Sequence, residues 1–564
     1  MSEIPSWLES WAPRFGEGVF TSVYQVSSLE LAAVVFYMAL MLVLSAYGLH
    51  RYHLIHLYFR YRQRALGDPS TYFAQLPRVT VQLPIYNEQY MVEELVESVC
   101  LLDYPRHLLD IQVLDDSTDE TKNVAQAAVQ RWAAKGLPIE YIHRHHREGF
   151  KAGALQAGLS RARGEIIAIF DADFRPNPDF LHRSIHYFTD PKAGVVQARW
   201  TYRNREESLL TRVQAILLDG HFVFEHGARF RSGRFFNFNG TAGLLRRSMI
   251  EDAGGWQHDT LTEDTDLSYR AQLRGWKYLY LPQVEVPSEL PSDMLSFQVQ
   301  QARWAKGLIQ TGKKILPRLL RADVPWKVKV EGCFHLSANL SYPLMALLSL
   351  LLLPATIVRF TYGDVKLLLL DIPLFLGTIS SLSTFYLLAQ KELDPRNWRR
   401  HGALMPLLVA VGIGLTITNT KAVLEALLGI KSPFQRTAKY AADTDRTQLA
   451  RRKYRRSVGW LPLANSAVAT YFTLCLGYCA LIGNWLTVPF LGLFCAGYFF
   501  TAGMLSYEAF VQRFWNQRSP LFWLIPPDPP SIAPSYVMTN SRSHSKTDAA
   551  TPLLLSQTVA MKDR

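Results

Sequence analysis

Runs of about 20 mostly apolar residues leave a chain few choices, because in hydrocarbon every backbone N–H and C=O must be bonded within the protein. Five such runs occur here, near residues 31–49, 337–358, 367–389, 465–483 and 487–509, and the first two bracket one long polar block. The chain is expected to combine a multi-span helical membrane part with a sizeable water-facing unit, and its 564 residues leave room for both. The first run does not read as a secretory leader, since it starts late and Arg14 is the only basic residue before it. Arg51, Arg60, Arg62 and Arg64 follow it, so the bias of positive charge places the N-terminus outside and residue 51 onward in the cytoplasm.

The formal net charge is +12, which would suit nucleic acid, anionic lipid or a phosphate-bearing substrate. Most clustered basic residues flank the apolar runs, which favours the bilayer as partner and gives no reason to expect nucleic acid. The five cysteines are too few and too scattered for a disulfide framework, and none has zinc-site spacing. Cys475 and Cys479, one helical turn apart in an apolar run, read as helix-packing residues.

A further apolar run near 402–430 has basic residues on both sides: Lys391, Arg396, Arg399 and Arg400 before it, and Lys431, Arg436, Lys439 and others after it. A helix that crosses once cannot keep both flanks cytoplasmic. The run is also broken by Gly412, Gly414, Asn419 and Lys421. It reads as an interfacial or re-entrant helix. Five spans then leave the C-terminus inside, and the Pro- and Ser/Thr-rich tail after about 524 lacks the apolar content to fold alone.

Residues 78–330 alternate strand and helix patterns. Val79–Pro84, Ile111–Leu114 and Ile166–Phe170 read as strands, and Met91–Leu101 and Thr121–Ala134 as helices. This is the pattern of a mainly parallel α/β sheet, in which ligands sit beyond the carboxyl ends of strands. Asp115-Asp116 and Asp171-Ala172-Asp173 fall there. Asp171 and Asp173 suit Mg²⁺ or Mn²⁺, with a solvated strand-end turn as the plain alternative. Asp115 and Asp116 suit a base or ribose, with helix capping as the alternative. In Thr262-Glu263-Asp264, ahead of a helical stretch from Asp266, Asp264 suits a general base, again against capping. Gln300 and Arg303 share a helix face with Trp304 beside them, so Arg303 can fork onto a diphosphate and Trp304 can offer a flat face to a sugar; an amphipathic interface helix is the rival reading. Lys151 opens a helix and suits phosphate, with a plain surface lysine as the alternative.

Together, Pro84-Ile85-Tyr86-Asn87-Glu88, Leu114-Asp115-Asp116-Ser117, Lys151-Ala152-Gly153, Asp171-Ala172-Asp173, Phe238-Asn239-Gly240-Thr241, Thr262-Glu263-Asp264 and Gln300…Arg303-Trp304 resemble the processive family 2 glycosyltransferases, cellulose synthase and the cellulose-synthase-like mannan and glucan synthases above all. The likeness covers roughly residues 30–510. It implies an α/β GT-A (Rossmann-like) catalytic domain and an inverting hexosyltransferase that polymerises a β-linked glycan from UDP-glucose or GDP-mannose and exports it through its membrane helices. A non-processive glycolipid synthase is the alternative, and an inactive scaffold or transporter a weaker one. The resemblance assigns donor binding to Tyr86, Glu88, Asp115, Asp116, Lys151, Asp171, Gln300 and Arg303, and Mg²⁺ or Mn²⁺ to Asp171 and Asp173. Catalysis falls to Asp264 with Glu263 and Thr262, and the acceptor to Trp304, Asn239, Gly240 and Thr241. Phe434–Lys439 resembles the family's F-x-x-T-x-K gating loop, with Arg436 and Lys439 on the phosphates. The departures are a single span before the catalytic block and no C-terminal cyclic-di-GMP-binding domain.

The expected division is an outer segment 1–30, a span at 31–50, a cytoplasmic GT-A domain at 51–335, a helix pair at 336–390, an interfacial helix and gating loop at 391–462, a second pair at 463–510 and a tail at 511–564. The plasma or inner membrane, or the Golgi in a eukaryote, suits this plan, and self-association is compatible with it.

Overall fold

The polar block folds into a seven-stranded sheet: β1 Val79–Ile85, β2 Leu109–Asp115, β3 Ile139–His143, β4 Ile166–Ile169, β5 Ala193–Tyr202, β6 Gly243–Arg246 and β7 Lys277–Ser288. The computed structural model describes residues 28–361, 365–431, 437, 439, 457–485 and 487–515. The N-terminal segment before Ser28, the tail after Trp515 and Phe434–Arg436 of the proposed gating loop lie outside them.

The strand order is β3-β2-β1-β4-β6-β5-β7. β1 pairs in parallel with β2 and β4, β2 with β3, and β5 with β7. β6 runs antiparallel to both β4 and β5. The expected mainly parallel sheet is present, and β6 is a reversal that its four residues, Gly243–Arg246, did not announce. Alternation along β4 shows why both faces are covered. Ile166, Ala168 and Phe170 pack with helices Val92–Cys100, Thr121–Ala134 and Phe180–Ile185, while Ile167 and Ile169 pack with Phe150–Arg161, Arg247–Asp252 and Glu263–Leu273. The last of these helices begins at Glu263, three residues earlier than the sequence pattern suggested, so the Glu-Asp pair occupies its first turn.

Among the described residues four helices are long and apolar enough to cross a membrane: Leu31–Arg60, Trp326–Ile357, Leu461–Leu481 and Val488–Val511. The expected run at 367–389 forms the helix Val365–Leu393. The run at 402–430 forms two helices, Met405–Gly414 and Thr416–Leu427, bent by 44° at Leu415. Phe472, in the apolar run at 465–483, is fully buried and stacks on Phe494 and Tyr498, so it is a core residue.

The bent pair is set by close backbone approach. A Cβ on Gly414 would stand 1.8 Å from Thr501 Oγ1, and one on Gly497 would stand 2.7 Å from the Ala410 carbonyl. Small residues are what let membrane helices meet at that distance. Gly412, one turn-half away, has open space around it. Gly414→Val should therefore lower stability by about 1–3 kcal/mol, the range for overpacking, whereas Gly412→Val should be nearly neutral. Thermal unfolding midpoints of the detergent-solubilised variants check this.

Candidate active site

The carboxyl ends of β1, β4, β5 and β7 open on one cavity, and most of the sequence-selected residues line it. Tyr86 and Glu88 follow β1, Asp171 and Asp173 follow β4, and Asn239 and Gly240 lie just before β6. Because β6 is antiparallel, its start meets the same edge where its neighbours end. Thr262, Glu263 and Asp264 come from the N-terminus of their helix, and Gln300, Arg303 and Trp304 from one side of the helix Met294–Arg321. Thr437 and Lys439 complete the lining from the proposed gating segment.

Among the described residues three non-glycine residues have left-handed backbone: Asn87 (φ 52°), Phe150 (φ 51°) and Ala242 (φ 54°). Each lies within or beside a motif read from the sequence, and such conformations cost of order 1–3 kcal/mol apiece. Gly240 (φ 81°) is also left-handed, and a side chain there would stand 3.0 Å from Asp264 Oδ2. Here glycine keeps a path open to the carboxylate.

The charges interlock. Lys151 pairs with Asp171 and donates to the Gly240 carbonyl at 3.1 Å, and Lys439 pairs with Asp173. Burial opposes the Lys151 charge, but Asp171 and Glu263 hold its ammonium above the ordinary value. Burial, then the neighbouring Glu263 charge, pushes the Asp264 carboxyl up to about 7 despite Lys151. Glu263 is raised as well, by burial first. Asp264 Oδ1 accepts from the Thr265 N–H at 2.6 Å.

Two selected residues stand behind the wall. Asp115 is fully buried, accepting from the Ser117 N–H at 2.9 Å and from the Tyr141 hydroxyl at 2.6 Å. Thr241 Oγ1 accepts from the Asp171 N–H at 2.9 Å. Thr241 thereby braces Asp171, which lines the cavity, while the partners of Asp115 stand behind the wall with it. Asp116 reaches the cavity while held by both arms of Arg144, at 2.7 and 2.6 Å, and the Arg147 guanidinium lies 3.4 Å from the centre of the Tyr86 ring.

Sequence reasoning missed Trp200 and Tyr202 at the end of β5 and Ser288–Pro291 after β7, which all line the cavity. The available signal was two aromatics on alternate residues at a strand's carboxyl end. It also missed a buried charge network behind Asn239. The His221–His226 segment is a π-helical turn, a form frequent at functional sites. His221 bonds Glu225 at 2.8 Å, Glu225 lies 3.5 Å from Arg229, and Arg229 bonds Glu331 at 2.9 Å, which also meets His50 at 3.1 Å. Burial alone would raise the Glu225 carboxyl, but His221 and Arg229 hold it well below the usual carboxylate range.

A family model described as Glycosyl transferase family 2 matches residues 80–254, the stretch from β1 to β6 of the mixed sheet. The match ends before Thr262–Asp264 and Gln300–Trp304. Over 253 residues the chain is 46% identical to glucomannan 4-beta-mannosyltransferase 2 of Arabidopsis thaliana, covering 44% of this chain and 47% of that one. It is 42% identical over 277 residues to glucomannan 4-beta-mannosyltransferase 1 of Oryza sativa subsp. japonica, covering 48% and 53%. The chain thus spans about half the length of the curated relatives it matches. Among solved structures, the mannosyltransferase PcManGT from Pyrobaculum calidifontis in complex with GDP-Man and Mn2+ is 23% identical, with a TM-score of 0.46 over 64% of this chain and 99% of that one.

Asp116 is 4% and Arg144 18% exposed, and Arg144 also donates to the carbonyls of Glu148 and Phe150. Removing one partner of a buried pair typically costs about 3–5 kcal/mol, so Arg144→Met should unfold at a much lower temperature than the parent. Arg131→Met breaks the exposed pair with Glu93 and should cost below about 1 kcal/mol.

Proposed function

We propose that the chain is an inverting, processive hexosyltransferase that builds a β-linked mannan or glucomannan from a nucleotide sugar at a membrane and passes it out between its membrane helices. The names of the relatives favour a mannosyl donor such as GDP-mannose over UDP-glucose. The observation that carries the reading is Asp264: a carboxylate in the cavity wall, beside the open path at Gly240, with its pKa pushed up to about 7. A base matched to neutral pH is what proton removal from a sugar hydroxyl requires.

In this reading the acceptor hydroxyl gives its proton to Asp264 as its oxygen bonds to the anomeric carbon, and the bond to the nucleoside diphosphate breaks on the opposite face. Lys151, Arg303 and Lys439 hold the phosphates, Tyr86 and Asp116 the nucleoside end, and Asn239 with Trp304 the acceptor. Asp171 and Asp173 fit a divalent cation. Among the described residues no group of three or more His, Cys, Asp and Glu is placed to hold a metal ion by itself, but Mg²⁺ takes only one or two carboxylates when phosphate and water oxygens supply the rest. When bound there, Mg²⁺ or Mn²⁺ would neutralise charge on the leaving diphosphate. The basic residues after the first helix support a cytoplasmic catalytic domain.

Purified protein given radiolabelled GDP-mannose or UDP-glucose with Mn²⁺ or Mg²⁺ should yield a polymer digested by a matching β-glycanase. Chelation by EDTA should stop synthesis and Mn²⁺ restore it. Release of free sugar alone, or only a short glycolipid, would refute the polymerase. Asp264→Asn should lower turnover by at least about a hundredfold, the lower range for losing a positioned base. The acid limb of kcat/KM should fall near pH 7, since the carboxyl must be ionised to accept the proton. Glu263→Gln removes a negative neighbour, so that limb should move to lower pH; as the two carboxyls titrate together, the limb reports the pair.

A further inference from the structure

The side-chain amide of Asn239 is held from behind the cavity wall. Its oxygen accepts from Asn237 Nδ2 at 2.8 Å, which turns its nitrogen towards His221 Nε2, 3.5 Å away. The Asn239 backbone is fixed as well, its N–H donating to Gln197 Oε1 at 2.9 Å. Asn239 lines the cavity next to Gly240, where the open path leads to Asp264 Oδ2.

The other nitrogen of the His221 ring settles which atom donates. Nδ1 lies 2.8 Å from Glu225 Oε2. Against the effect of burial, His221 and Arg229 keep that carboxyl ionised. A carboxylate can only accept, so Nδ1 carries the proton and Nε2 of the neutral ring presents a lone pair. A proton on Nε2 would set two donors against each other. Asn237 on one side and Glu225 on the other therefore assign the same direction independently: Glu225 accepts from His221, and His221 accepts from Asn239. One amide hydrogen of Asn239 is taken in this way, and the second is left for the cavity.

His221 itself has little room to shift. It follows Gly220, where a Cβ would stand 2.6 Å from the Tyr386 ring of the helix Val365–Leu393. Its ring packs edge-on to that of His226, with centres 4.4 Å apart, and it opens the π-helical turn.

We propose that His221, aligned by Glu225, is a positioning residue for sugar transfer: it turns the Asn239 amide so that an N–H faces the cavity and holds the oxygen of the attacking hydroxyl while Asp264 takes its proton. The inference rests on the glycan-synthase reading above and adds to it two residues that act through Asn239.

His221→Asn keeps a donor within reach of Glu225 but is too short to replace Nε2, and His221→Phe keeps the ring but lacks both nitrogens. A lost hydrogen bond of this kind is worth up to about tenfold. With GDP-mannose as donor, each variant should lower kcat for glycan synthesis several-fold per folded protein, with donor KM within about twofold of the parent. In an Asn239→Ala background the same substitutions should change kcat by less than about twofold, because residues that act through one group are not additive. A kcat within twofold of the parent for both variants, effects that multiply in the double variants, or a donor KM raised as far as kcat falls would overturn the positioning role. A parent that makes no glycan from any nucleotide sugar fails at the glycan-synthase reading, and the inference falls with it.

Discussion

A single carboxylate ties the chemistry to the bilayer. Glu508, on the last membrane helix and 8% exposed, accepts the N–H groups of Met294 and Leu295 at 2.6 and 3.3 Å. These are orphan donors at the start of the helix that carries Gln300, Arg303 and Trp304. Asp293 caps the next one, at Ser296. Further along, Lys306 pairs with Glu425 at 2.7 Å, and Lys313 donates to the carbonyls that end the helix Thr416–Leu427. The helix therefore belongs to both halves of the molecule. One side faces the cavity, and its ends and opposite side are bonded to helices of the membrane part. Any shift of those helices reaches Arg303 and Trp304 through a rigid body, not a loop.

The charge arrangement around Asp264 follows from the same crowding. The first turn of its helix faces a cavity already holding Asp171 and Asp173, so several carboxylates compete for neutralisation by Lys151 and Lys439. Lys151 bridges two of the groups involved, reaching Asp171 and the Gly240 carbonyl. The Asp264 carboxyl is left as the group that gives way by holding its proton more tightly. Positive φ at Asn87, Phe150 and Ala242 belongs to this pattern too, since strain at three loops is retained where the backbone is fixed around a site.

Much of this was readable from residue order. Short apolar runs marked β1, β2 and β4, the last two stopping at an Asp, because buried parallel strands must be apolar on both faces. The helix Thr121–Ala134 matches its pattern to the residue. Seven motifs located the cavity before any coordinate. What stayed hidden depends on distant partners. The reversal of β6 is decided by its pairing with β4 and β5, not by four residues of its own. Asp115 looked like a ligand because nothing local reveals that Tyr141 and Ser117 claim its oxygens. Trp200 and Tyr202 were not singled out, because their place in the cavity wall depends on the pairing of β5 with β7. The His221–Glu331 network draws on residues spread from His50 to Glu331, so no local window contains it.

That network bears on how the protein is made. Glu331 lies in the first turns of the apolar helix Trp326–Ile357, where an unpaired carboxylate would resist entry into hydrocarbon. Its partners, His50 and Arg229, lie 281 and 102 residues earlier in the chain. A ribosome therefore delivers both counter-groups before Glu331 emerges, so the acid need not wait for later sequence to be neutralised. Biosynthetic order and electrostatics run in the same direction here.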